Sequence, residues 1–143
     1  MTRQIYVNLP VKNLDRSIEF FTRLGYRFNP QFTNENATCM IVSDSIFVML
    51  LTEKFFQSFT DKAICDAGLS TEVMVCLSCD SREAVDDEVR KALAAGATSP
   101  RAPQDLGFMY GHGFEDLDGH IWELSYMDMS AMPQGGQPAE TSG

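Results

Sequence analysis

The sequence predicts an α+β fold of two tandem βαβββ units, and three observations carry that reading. A strand, a helix and three further strands follow one another twice along the chain. Each helix has its own start and stop signals: Asn13 and Gly25 for the first, Asp80 with Glu83 and then Gly96 for the second. The halves also superimpose at an offset of 71 residues, which sets Asp15 on Asp86, Ile18 on Val89, Leu24 on Ala95 and Gly25 on Gly96. An internal duplication follows. One unit alone would leave a sheet with an unfinished edge and face, whereas two make a better core.

Residues 5–11 alternate as a strand, with Ile5, Val7 and Leu9 on one face and Tyr6 and Asn8 on the other. Asn13 caps a helix over residues 14–24, whose apolar positions Leu14, Ile18, Phe21 and Leu24 recur at helical spacing. Residues 26–32 form a strand weakened at Pro30, and residues 33–36 turn the chain. Residues 37–42 and 45–51 pair across Ser43-Asp44, completing a first unit over residues 1–52. Residues 53–69 are a crossover with a short helical piece, where Phe55, Phe56 and Phe59 serve as local packing, a dimer contact or a lid.

The second unit spans residues 70–128. A strand over 71–78 leads into a helix with the stripe Val85, Val89 and Leu93. Strands over 97–102, 107–114 and 120–127 follow, with Pro100 and Pro103 marking an edge or break. Residues 129–143, rich in Gly, Pro, Ser and Gln, are expected to be a disordered tail.

The chain has 143 residues, 44% hydrophobic and 22% charged, the balance of an ordinary globular protein. Its net charge of -9 argues against nucleic acid, which needs clustered Lys and Arg, and is compatible with a cationic ligand. No apolar run approaches the ~20 residues that span a bilayer. A strand begins almost at the N-terminus, leaving no room for a signal peptide, so a cytoplasmic location is expected. Cys76 and Cys79 match C-x-x-C as text, but in a strand they point to opposite faces. Their Cα atoms would be about 10 Å apart, beyond disulfide reach. With Cys39 and Cys65 they read as buried, reduced thiols.

The most informative stretch is D-L-D-G-H-I-W-E-L at residues 116–124. Asp118-Gly119 supplies a tight turn, and the strand after it puts Trp122, Leu124 and Tyr126 on one face with Glu123 and Ser125 on the other. A carboxylate inside an apolar strand is costly to bury without a partner, which singles out Glu123. His120 is expected to bond turn backbone or water, and His112, between two glycines, to lie at the surface or face a substrate. Tyr6, Met49, Met74 and Cys76, with Phe108 and Tyr110, give a wall of aromatic and sulfur groups suited to a flat apolar or cationic ligand. The competing reading is that they close the core.

The tandem units, N-L-D-R-S-I-E-F-F at residues 13–21 and the stretch at 116–124 together resemble the vicinal oxygen chelate superfamily, over residues 3–127. That superfamily includes glyoxalase I, extradiol dioxygenases, fosfomycin-resistance transferases and bleomycin-resistance proteins. The resemblance implies an open, cup-shaped mixed sheet with helices on its outer face, and a homodimer. It also implies a divalent metal held by side chains from four strands, and Glu123 matches the last-strand ligand. Tyr6, Met49 and Met74 stand where the other three would be, so the usual four-ligand site is not expected and no cofactor is anticipated. A shifted hard-ion site of Asn8, Glu72 and Glu123 is the alternative that keeps a divalent metal.

Three functions follow from these residues. The first is a metal-free binder of a small cationic or aromatic molecule in the cup. The second is a metal-dependent lyase, isomerase or dioxygenase with Glu123 as ligand or base. In the third Glu123 is a general base without metal. The sequence leaves catalysis itself open.

Overall fold

The computed structural model describes residues 2–131. In chain order the elements are β1 (Ile5–Val11), α1 (Leu14–Leu24), β2 (Arg27–Asn29), β3 (Ala37–Ile41), β4 (Ile46–Thr52), a short α2 (Glu53–Gln57), β5 (Met74–Ser78), α3 (Arg82–Ala94), β6 (Gln104–Asp105), β7 (Met109–Glu115) and β8 (Ile121–Met127). The α+β class and the two βαβββ units are as the sequence predicts. The strands hydrogen-bond as two four-stranded sheets, ordered β1-β4-β3-β2 and β5-β8-β7-β6. In both units the first strand runs parallel to the last, and the remaining pairings are antiparallel.

Asn13 caps α1 through its side chain, which accepts from the Arg16 amide, and Gly25 ends the helix at φ 104°. Only glycine takes that conformation without strain. The cap of α3 is Ser81, accepting from the Ala84 amide, and not Asp80. The reason is length. Helix α1 has 11 residues and α3 has 13, so α3 holds about half an extra turn. The buried stripe also differs from the expected one: Ala92 is buried with Val85 and Val89, while Leu93 is exposed.

Other boundaries shift for local reasons. Pro30 starts a 3-10 turn (Pro30–Phe32) capped by Asn29, so β2 stops short of it. The strand expected over 71–78 begins only at Met74. Of 97–102 just one bridge forms, Thr98 to Glu115, and the sheet is finished by the two-residue β6. Within the expected tail, Met129–Ala131 is a 3-10 turn, and the rest of it lies outside the described residues.

One core serves both units. Leu9, Val11, Phe20, Phe21, Met40, Val48 and Leu50 from the first pack in a single cluster with Val85, Val89, Phe114, Trp122 and Leu124 from the second. Phe21 meets Trp122 with ring centroids 5.1 Å apart, and Phe20 meets Phe114 at 6.0 Å. Fully burying side chains of this size contributes roughly 1.5–3 kcal/mol each. The helix-covered face of each sheet supplies these residues. The candidate site lies on the opposite faces, which are open in part: on the first sheet Ala37, Cys39 and Leu51 of that face are buried, while Tyr6 is exposed.

Candidate functional site

The strand register fixes what each open face carries. In the first sheet Tyr6 lies opposite Phe47, Asn8 opposite Met49, and Met49 opposite Cys39. Tyr6 and Phe47 stack with centroids 4.8 Å apart and planes 13° apart, leaving Tyr6 49% exposed. In the second sheet Met74 lies opposite Ile121, Cys76 opposite Glu123, and Glu123 opposite Gly113. Met49 and Glu123 thus hold equivalent places, each beside the second open-face residue of a parallel first strand. The sequence-selected residues therefore gather in two sets, one on each sheet. Among the described residues no hydrogen bond joins the two sets.

Glu123 is half-buried, and no hydrogen-bond donor or cation meets its carboxylate among the described residues. It folds across the sheet onto β7. A Cβ on Gly113 would stand 2.8 Å from Glu123 Oε2 and 2.6 Å from the Trp122 carbonyl, so only glycine fits under it. Cys76 is exposed beside Glu123, with its Sγ 3.7 Å from Ser125 Oγ.

Three expected positions fall elsewhere. Tyr110 is on the helix-covered face, where its hydroxyl donates to Asp86 Oδ1 at 2.5 Å and Arg82 sits over its ring. That acceptor, together with burial, raises the phenol's pKa. Phe108 is buried and precedes β7. The alternation through 108–114 is real, but Phe114 belongs to the core, so the open face carries Met109, Gly111 and Gly113 instead. The paired glycines were the available sign of that face. Glu72 is exposed and lies before β5, off the face it was expected to share with Met74 and Cys76.

Both imidazoles serve the scaffold. His112 Nε2 lies 3.0 Å from both Ser99 Oγ and the Arg101 carbonyl, which ties residues 99–101 to β7. The His120 ring does not bond its own turn: its Nε2 donates to the Pro10 carbonyl at 2.6 Å, across the two units. Asp118 also reaches the first unit, while Asp116 holds the turn itself. Asp118 accepts from the Lys12 amide at 2.8 Å and from Ser17 Oγ at 3.4 Å. Asp116 accepts from Trp122 Nε1 at 2.9 Å and from the amides of Asp118 and His120. Burial pushes the Asp116 carboxyl up, opposed by His120 and by those donors. At the far side of the unit junction Tyr26 donates to Glu88 Oε2 at 2.5 Å.

The thiols are all free, but only Cys39 is buried; Cys65 and Cys76 are exposed, contrary to expectation. Burial pushes the Cys79 thiol up to about 11, helped by Glu88 and Asp80. Phe55 and Phe59 pack edge-to-face at 5.1 Å, with Phe59 left exposed.

The donor set does not fit the metal that the fold family implies. A phenol, two thioethers and one carboxylate stand at its four positions, and a divalent ion needs three or more strong donors. Among the described residues no group of three or more His, Cys, Asp or Glu could hold one. None of the described helices is long and apolar enough to cross a membrane.

Comparisons with known proteins agree with this architecture. The sequence model of the bleomycin resistance protein-like N-terminal family matches residues 3–43. No curated protein matches the chain. A hypothetical protein from S. aureus superposes with a TM-score of 0.75 at 28% identity, over 88% of this chain and 94% of that one. A glyoxalase-related enzyme from Fulvimarina pelagi gives 0.76 at 16% identity, covering 98% and 99%. The bleomycin resistance determinant of transposon Tn5 gives 0.64 at 19%, covering 90% and 100%. The duplicated βαβββ units, the match over residues 3–43 and these structural likenesses together show that the chain has the fold of the vicinal oxygen chelate superfamily and resembles its glyoxalase and bleomycin-resistance branches.

Proposed function

We propose that this protein binds a small cationic or aromatic molecule on its open sheet faces without a four-ligand divalent site. The observation that carries this reading is Glu123. Among the described residues its carboxylate has no cation partner, and it stands beside Met74, Cys76, Ile121 and two glycines. A ligand cation would supply the missing charge, in surroundings where the attraction is less screened than in bulk water. The stacked, half-exposed Tyr6–Phe47 pair offers a π-surface to the same class of ligand.

A homodimer is part of the proposal. Strands β1 and β5 are unpaired sheet edges, and Ile5, Tyr6, Val73 and Met74 are exposed along them. Such edges favour pairing with a second copy. A partner's first sheet facing the second sheet would bring aromatic stack and carboxylate to one ligand.

The test combines a thermal-shift panel of cationic aromatic compounds with sedimentation. A native-state ligand present at 100 times its Kd stabilises by about 2.7 kcal/mol. The expected result is a dimer, with stabilisation that Glu123→Gln weakens for cations and leaves unchanged for neutral aromatics. Stoichiometric nickel, zinc, manganese or iron retained through Glu123 would overturn the reading.

A further inference from the structure

The open face of the second sheet has a bare strip, and this strip sharpens the ligand class. Gly111 and Gly113 alternate on β7, both on the face that carries Glu123 and Ser125. Their missing side chains are put to different uses. The space of Gly113 is taken by the Glu123 carboxylate. At Gly111 a Cβ would fit without clash: its nearest atoms, the Leu124 carbonyl oxygen and Met109 Cε, would lie in ordinary contact at 3.5 Å, and the residue has no positive φ, so neither sterics nor backbone requires glycine there. Strand interiors disfavour glycine, which loses entropy and packs nothing. Two residues of strand separate the carboxylate from the side-chain-free backbone at Gly111 by about 7 Å.

Resting on the function proposed above, we infer that Gly111 forms the seat of a planar cation, a ring bearing an amidinium or guanidinium group. The ring lies flat on the bare backbone at Gly111, and the planar cation reaches Glu123 edge-on. A carboxylate receives such a group through two parallel hydrogen bonds. The Met109 methyl borders the seat, and a thioether beside an aromatic ring is a favourable contact. Met127, directly opposite Met109, continues that wall, and Ser125 lies opposite Gly111. A bulky non-planar ammonium would carry the same charge but would not lie flat on this surface.

The test follows the amide resonances of the intact protein during titration with benzamidinium and, separately, cyclohexylammonium. Saturable shifts at Gly111, Gly113 and Glu123 with benzamidinium, and at least tenfold weaker binding of cyclohexylammonium, are expected. Gly111→Val should keep the fold, because a β-branched residue suits a strand and its Cβ has room. It should weaken benzamidinium at least tenfold and leave cyclohexylammonium unchanged. Gly111→Ala makes the same comparison with a smaller side chain, should the valine variant not fold. Equal binding of the two cations, or benzamidinium affinity indifferent to both substitutions, would overturn the seat while leaving the cation-binding function standing. No shift on the open face with either cation would overturn both.

Discussion

The Tyr26–Glu88 contact joins the end of α1 to α3, and its contribution should depend on pH in a definite direction. Burial raises the Glu88 pKa; the hydrogen bond from Tyr26 and the charge of Lys91 oppose that rise without cancelling it. Burial and Glu88 likewise push the Tyr26 phenol far above its usual range, so it remains a donor at every pH of interest. A carboxyl whose folded pKa is raised binds its proton more tightly in the folded chain. Its contribution is fully present below the unfolded value of about 4.3, and is lost as pH rises through the folded value. Glu88→Gln keeps an acceptor for Tyr26 but cannot ionise, so it should remove this pH dependence. Its stability relative to the parent should therefore improve between pH 4 and pH 7. Tyr26→Phe leaves an ionised, partly buried carboxylate without its donor. Hydrogen bonds to charged groups are worth about 1.5–3 kcal/mol, so that loss is expected at pH 7. For a chain of this size it corresponds to a Tm drop of roughly 5–12 °C. Urea unfolding of the parent, both single variants and the double variant at pH 4 and pH 7 would measure the coupling. The charged pair at pH 7 should couple about twice as strongly as the protonated pair. Equal coupling at both pH values, or a Tyr26→Phe cost below 0.5 kcal/mol (about half a neutral hydrogen bond), would refute the argument.

Three further outcomes are expected. Asp118→Ala removes the acceptor of the Lys12 amide and of Ser17 Oγ, and should cost about 1–3 kcal/mol by chemical denaturation. Gly119→Ala should destabilise by more than 1 kcal/mol, since Gly119 has φ 91° and a Cβ there would stand 2.7 Å from the Ala67 carbonyl oxygen. A differential scan that found it as stable as the parent would refute the close packing of the crossover on this turn. With a thiol reagent at pH 8, Cys65 and Cys76 should react first. Cys79 should lag because its thiol is pushed up to about 11, and Cys39 should react only on unfolding.

Elements set by local signals were legible in the sequence. Asn13 and Gly25 bound α1 as their chemistry requires, and the Ser43-Asp44 turn and the strand after Gly119 fell where alternation placed them. What failed needed information from a distance. A single offset of 71 residues hid the two added residues of α3, and with them Ser81 as the cap and Ala92 as a buried position. The face of β7 was misassigned because Phe114 anchors the core and glycines carry no hydrophobic label, so periodicity could not show that Gly111 and Gly113 look outward. Glu123 could be singled out, and its strand face assigned, because a charge in an apolar strand is conspicuous. Phe47 was missed, although its parity with Met49 placed it beside Tyr6.

The turn that identifies the fold says little about chemistry, and the contacts explain why. Asp116 holds Trp122 and its own turn, Asp118 holds Lys12 and Ser17, Gly119 admits the crossover, and His120 reaches Pro10. Asp118 and His120 join one unit to the other, Asp116 fixes the turn that presents them, and Gly119 leaves room for the crossover. A protein with this arrangement needs the turn to keep its shared core closed, whatever its open faces bind. The freedom to differ lies beyond the turn, in positions whose side chains leave the core. There the two units have diverged from a common pattern: Asn8 with Met49 in one, Cys76 with Glu123 in the other. Duplication supplied the same pair of places twice, and only one of them carries a charge. That asymmetry predicts that substituting Met49 by Gln should leave cation affinity nearly unchanged, whereas Glu123→Gln should abolish most of it. If both substitutions weakened benzamidinium equally, the binding energy would come from apolar contact and the electrostatic account of this site would fail.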